Sequence, residues 1–189
     1  MRLFVAINFP PDARDAIYAD AAPLRAATNG VKWVAAPLLH VTLKFLGEQP
    51  DALVPDLMRT MTVVGARHAP LELRTTEMGA FPNFRRPRVV WVGMTGETEL
   101  RALADDVDRM LVGFGLAPET RAFKAHLTLG RAKGEMRPAE ANALASAASD
   151  VRASRGLPVR TVDLMRSELG PGGPRYTVLA AAPLHARGS

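Results

Sequence analysis

One short pattern occurs twice in this chain, and it restricts the fold more than any other feature. His40-Val41-Thr42-Leu43 returns as His126-Leu127-Thr128-Leu129, so two of only four histidines carry Thr two positions on and Leu three positions on. Both copies lie in runs where apolar and β-branched residues alternate with others, the period-2 signature of a β-strand. Side chains at i and i+2 leave the same face of a strand. Each copy therefore pairs one imidazole with one hydroxyl and turns Val41 and Leu43, or Leu127 and Leu129, to the opposite, packing face. Gly47-Glu48 follows the first copy and Gly134-Glu135 the second, so each copy suits one half of a duplicated unit. Two such strands facing one cleft would hold two His and two Thr around a small anion.

The residue types suggest a reaction. A single His-x-Thr is most simply a strand with a satisfied polar pair, but a pair of them in separate halves points to function. Displacement at phosphorus needs one group to deprotonate the attacking water and another, on the far side, to protonate the leaving oxygen. Imidazole, with a reference pKa of about 6.5, serves in either form near neutrality. Two Thr hydroxyls can donate to the non-bridging oxygens. Arg131, two residues beyond Leu129, can add a charge-assisted contact or be an ordinary surface Arg. Lys44, at i+2 from Thr42, is expected on the same face and is a weaker candidate of that kind. His68 near a turn and His185 near the terminus read as bystanders.

The two motifs resemble those that define the 2H phosphoesterase superfamily, and the chain is most similar to its RNA 2′,3′-cyclic phosphodiesterase branch, the 2′-5′ RNA ligase family. Five further stretches carry the resemblance: Met1 to Ile7, Val31-Lys32-Trp33-Val34, Gly79-Ala80-Phe81-Pro82-Asn83, Leu169-Gly170-Pro171-Gly172-Gly173, and Tyr176. The resemblance implies one domain over residues 1–189, made of two pseudo-symmetric lobes, each an antiparallel sheet backed by helices, around a central cleft. It implies His40 as general acid and His126 as general base, with Thr42, Thr128 and Arg131 binding substrate, and neither metal nor cofactor. The implied substrates are RNA with a 2′,3′-cyclic phosphate end or cyclic nucleotides, and the implied product is a 2′-phosphomonoester. Some family members also run the reverse 2′-5′ ligation.

Along the chain, strands and helices mix without a regular βαβ rhythm, which reads as α+β. Strands are expected at residues 2–8, 31–34, 39–46, 71–77, 89–94, 125–131, 159–168 and 175–181. Helices are expected from Pro10 to about Ala27, with Pro23 as a kink or an early end, at 51–65, from Glu97 past Leu111, and at 138–149. The loop 79–88 holds Arg85, Arg86 and Arg88 beside Phe81 and Phe84, either a phosphate- and base-binding patch or a solvated hairpin tip. Residues 170–174 read as a tight loop, and Arg187 to Ser189 as a frayed end.

Composition removes several function classes. There is no Cys, hence no disulfide frame, thiolate nucleophile or Cys-based metal site. No apolar run approaches the roughly 20 residues of a membrane span, and the start lacks a signal-peptide pattern, so no membrane association, a cytoplasmic location and a monomer are expected. The net charge of +5 favours an anionic partner. Lys is confined to Lys32, Lys44, Lys124 and Lys133, though, and an Arg-rich bias can also reflect base composition. Three rival readings stay open: a metal hydrolase, to be separated by metal analysis; a non-catalytic RNA-end binder, by turnover; and a phosphodiesterase of the same fold acting on another small cyclic phosphate or a 2′-5′ oligonucleotide, by a substrate panel.

Overall fold

The computed structural model describes residues 1–152, 154–171 and 173–185. The expected frayed end at 187–189, and Gly172 of the expected tight loop, lie outside these residues. Two antiparallel sheets dominate. The first holds β1 (Arg2–Asn8), β3 (His40–Glu48), β8 (Thr161–Gly170) and β9 (Gly173–Pro183), in the order β3-β1-β8-β9. The second holds β2 (Val31–Trp33), β4 (Leu71–Phe81), β5 (Val89–Met94), β6 (His126–Ala132) and β7 (Gly156–Val159), in the order β2-β6-β5-β4-β7. Each sheet carries one copy of the motif, and β3 and β6 approach one another where the sheets meet. The α+β expectation and the placing of one motif strand in each half are as the sequence indicated.

Helices pack against both sheets. Helix α3 (Val54–Gly65) packs on β8 and β9, and α4 (Glu97–Leu111) packs on α3 and β3. The apolar spacing of α4 accounts for this: Leu100, Leu103, Val107 and Leu111 recur at three- and four-residue intervals and are all buried. Helix α5 (Pro138–Asp150) lies on β4 and on α2 (Ala22–Ala27), burying Ala141, Leu144 and Ala148. Val5, Ile7, Val41, Val92, Leu127 and Leu164 fill one continuous core between strands and helices. At about 25 cal/mol per Å² of apolar surface, burial of this kind is the main favourable term in the fold.

Several expected boundaries are corrected. The single helix expected to run to Ala27 is two helices, α1 (Pro11–Asp20) and α2, because Pro23 has no N–H to donate and sits instead in the first turn of the second. Strand β4 reaches Phe81, so Gly79 to Phe81 belong to a strand and not to the loop, which occupies only residues 82–88. The expected strand at 159–168 is two, β7 and β8, meeting at Arg160. No helix among the described residues is long and apolar enough to cross a membrane.

Candidate active site

Both motif strands contain the same irregularity. In β3, Val5 pairs with Lys44 and Ala6 with Thr42, so Leu43 is an extra residue without a partner of its own on β1. In β6, Val90 pairs with Gly130 and Trp91 with Thr128, so Leu129 is extra in the same way. Each is a β-bulge, which inserts one residue and reverses the in–out alternation beyond it. The residue five positions after each His would point away from the cleft on a regular strand. With the bulge it turns in, and both Phe45 and Arg131 line the cleft.

The bulge also corrects the expectation for Lys44. Its side chain is buried, 6% exposed, on the helix side of β3. There the ammonium pairs with the Asp108 carboxylate and donates to the Ala117 carbonyl at 2.7 Å. It is a structural ion pair between β3 and the end of α4.

The cleft has a volume of about 280 Å³ and is lined by His40, Thr42, His126, Thr128 and Arg131 together. All five site residues expected from the sequence therefore share one cavity. Each imidazole is held alike. Nδ1 of His40 lies 2.8 Å from the Leu38 carbonyl, and Nδ1 of His126 lies 2.7 Å from the Lys124 carbonyl. A carbonyl oxygen only accepts, so Nδ1–H donates in both and Nε2 is left to exchange protons. Nε2 of His40 is 3.1 Å from the Thr42 hydroxyl, the i and i+2 neighbours that one strand face brings together.

Aromatic rings hold both imidazoles in place. His40 has Phe4 at 5.1 Å and the edge of Tyr176 at 5.2 Å between ring centroids. Phe4, Ala6 and Met165 form a small buried cluster beneath it, with Tyr176 packed on top. His126 meets Phe81 edge to face at 5.1 Å, and Phe81 stacks on Trp91 at 5.0 Å. Gly79 allows that stack: a Cβ at this position would lie 2.3 Å from the Trp91 ring, which crosses the strand there.

Burial lowers the pKa of both histidines below the ordinary 6.5, because a charged ring loses its water. The carbonyl bonds of Leu38 and Lys124 oppose this, each favouring the protonated ring. The Arg131 guanidinium pushes both rings further down, and the Lys124 ammonium acts on His126 in the same sense. In the free site both imidazoles thus disfavour the charged form beside the Arg131 guanidinium, which joins no ion pair among the described residues, a setting that an anionic phosphate would complement. No group of three or more His, Asp or Glu side chains among the described residues is placed to hold a metal ion.

Phe4, Phe45, Tyr176 and Phe81 were not foreseen as site residues. Phe4 and Tyr176 stood out only as part of a resemblance, Phe81 also as a possible base-stacking partner in the loop expected at 79–88 and not as the support of His126, and Phe45 not at all. His68 bonds Asp106 at 3.2 Å and lines a different depression, apart from the cleft.

The comparisons with known proteins agree with this geometry. A family model described as the 2′-5′ RNA ligase superfamily matches residues 10–171. The chain is 32% identical over 177 residues to the RNA 2′,3′-cyclic phosphodiesterase of Methanothermobacter thermautotrophicus, spanning 94% of this chain and 95% of that protein. It is 35% identical over 176 residues to the protein of the same name in Archaeoglobus fulgidus, spanning 93% and 96%. A crystal structure from Thermus thermophilus matches with a TM-score of 0.81 at 31% identity, over 100% of both chains. E. coli LigT complexed with 3′-AMP matches with a TM-score of 0.72 at 26% identity, over 97% of each.

Proposed function

The chain belongs to the 2′-5′ RNA ligase superfamily, and from that premise we propose that it is a hydrolase opening RNA 2′,3′-cyclic phosphate ends to a 2′-phosphomonoester by a two-histidine mechanism. The observation that carries this is the matched fixing of two imidazoles, each with Nδ1–H on a backbone carbonyl, in one cleft shared with Thr42, Thr128 and Arg131.

In this reading the cyclic phosphate sits between the rings. His126 Nε2 takes a proton from water as the water oxygen bonds to phosphorus. The bond from phosphorus to the 3′ oxygen breaks on the opposite side, and His40 Nε2–H protonates the leaving 3′ oxygen. The product keeps the ester to the 2′ oxygen. His40 ends neutral and His126 protonated, and exchange with solvent restores both. The free enzyme disfavours a charged ring, so the proton on His40 is held chiefly once the anionic phosphate is bound and offsets Arg131. Thr42 and Thr128 donate to the non-bridging oxygens, and Arg131 neutralises the charge that gathers there. Both histidines come from one chain, so the site needs no second copy to complete it, and in this reading the chain works as a monomer with the two sheets as the lobes of one unit over residues 1–189.

The test is turnover of an RNA ending in a 2′,3′-cyclic phosphate, set against a panel of cyclic nucleotides, with phosphorus NMR of the product. A 2′-phosphate is expected. A 3′-phosphate would mean that the ribose lies reversed relative to His40 and His126.

A further inference from the structure

The cleft has three neighbouring depressions, and their charges differ. Beside His126, a pocket is lined by Glu77 and Glu97 against the single cation Lys124. At the start of β1, another mixes Arg2 and Arg166 with Glu48, Asp51 and Glu168. The third is a groove of about 690 Å³ lined by Arg86, Arg88, Arg131 and Lys133, with Glu135 its one carboxylate. Arg131 lines both this groove and the catalytic cleft, so the two adjoin at that side chain.

The groove is built on fixed backbone. Val89 pairs with Arg131 across β5 and β6, the Ala132 N–H donates to the Arg88 carbonyl at 3.0 Å, and the Lys133 N–H donates to the Gly30 carbonyl at 2.8 Å. The Asn83 side-chain carbonyl accepts from the N–H groups of Arg85 and Arg86 at 2.9 and 3.2 Å, which sets the shape of the loop. Its floor is apolar, with Pro87 and Met136 buried beneath the cations. None of the four cations joins an ion pair among the described residues, as holds for several other Arg and Lys side chains; what sets these apart is that four of them line one groove. Unpaired Arg and Lys converging on one groove are free to meet phosphates.

We propose that this groove binds the backbone phosphates of the nucleotides that precede the cyclic end, so that the RNA strand leaves the cleft over Arg131 between Arg88 and Lys133. The proposal rests on the RNA-end reading above. It implies a substrate longer than one nucleotide, held by charge and not by base identity, since backbone contacts carry no sequence information. Of these three depressions, the other two present at least as many carboxylates as cations to a polyanion, whereas this one sets four cations against Glu135.

The experiment compares wild type with the Arg86→Ala/Arg88→Ala/Lys133→Ala variant, leaving Arg131 intact. Two substrates are used, a nucleoside 2′,3′-cyclic monophosphate and a four-nucleotide RNA ending in the same group, across a range of salt concentrations. Wild type is expected to favour the RNA by tenfold or more in kcat/KM, and the variant to lose most of that preference through KM while turning over the mononucleotide as before. The salt slope for the RNA should fall by about 0.7 for each phosphate that the variant no longer neutralises. An unchanged RNA preference and slope, or an equal loss on both substrates, overturns the groove. If wild type turns over neither substrate, the cyclic phosphodiesterase reading fails instead. The groove is then judged by fluorescence anisotropy with the same RNA: weaker binding by the variant upholds it, and equal binding overturns it.

Discussion

The two motif strands carry the same His-x-Thr-Leu pattern and the same bulge at its Leu, yet they stand differently in their sheets. β3 is the edge of its sheet, bonded only to β1, whereas β6 is flanked by β2 and β5. Behind His40 lie Phe4 and Tyr176 from strands distant in sequence, and its Nε2 meets the Thr42 hydroxyl. Behind His126 lies Phe81, and beside it stands the Lys124 ammonium. Beyond the bulge one strand offers Phe45, 64% exposed, and the other offers Arg131. A repeated motif therefore gives two imidazoles the same local geometry, and the surroundings separate their roles. Lys124 is a cause found at His126 and not at His40, and it acts to keep His126 neutral, as a general base requires.

The sharpest break of this pairing is to remove one ring. His40→Ala and His126→Ala should each lower kcat/KM by roughly 10²–10⁴, the usual worth of one positioned proton transfer. The double variant should lose less than the product of the two, since groups acting as a unit are not additive. Near-wild-type turnover by either single variant would end the two-histidine mechanism.

Arg131→Gln comes next, because this side chain acts on both halves. A loss of about 10² in rate is expected, as for removal of one transition-state donor. Its charge lowers both imidazole pKa values, so both limbs of the kcat/KM profile should move to higher pH. The wild-type bell should itself centre below pH 6.5, the ordinary imidazole value, because kcat/KM reports the free enzyme and both rings are depressed there. Its apparent values belong to the pair and not to either ring. A bell centred above 6.5 would contradict the burial of the two rings.

The two threonines test the asymmetry. Thr128→Ala should cost about tenfold, the low end for a hydrogen bond to a charged group. Thr42→Ala should cost more, because its hydroxyl also bonds Nε2 of His40. Equal losses would mean that this bond is not kept in the complex.

A finer test is Lys124→Gln, with little change in the maximal rate. Removing the cation raises the His126 pKa. If His126 is the base, only the acid limb moves, to higher pH; movement of the alkaline limb instead would exchange the two roles. The smallest expected effect is from EDTA. Turnover should survive it, because the imidazoles and hydroxyls supply every group the step needs, and loss restored by zinc or manganese would refute this.

The α+β class and the pairing of each His with a Thr could be read from the residues, whereas the two-lobed arrangement came only from the resemblance. Alternation in 40–43 and 126–129 was enough to place His with Thr on one face and Val41 or Leu127 in the core. Pro23 marked a helix break whose form it could not decide, since proline suits both a kink and a first turn. Phe4 and Phe45 gave no signal in their pattern, because an aromatic residue in a strand reads the same whether it backs a catalytic ring or fills a core, and Phe81 was read with the basic loop and not as the last residue of β4 behind His126.

What the chain settled without its fold is the chemistry on offer: two His-x-Thr pairs on strand faces, no thiol, and a net charge of +5. What tertiary structure alone decided is which later residues join them. A bulge is a property of pairing between two strands, absent from either strand read singly. Leu43 and Leu129 became extra residues only against β1 and β5. That shift of one position sent Lys44 to Asp108 and brought Phe45 and Arg131 to the phosphate side, because side chains alternate with a period of two and a single inserted residue exchanges the faces beyond it.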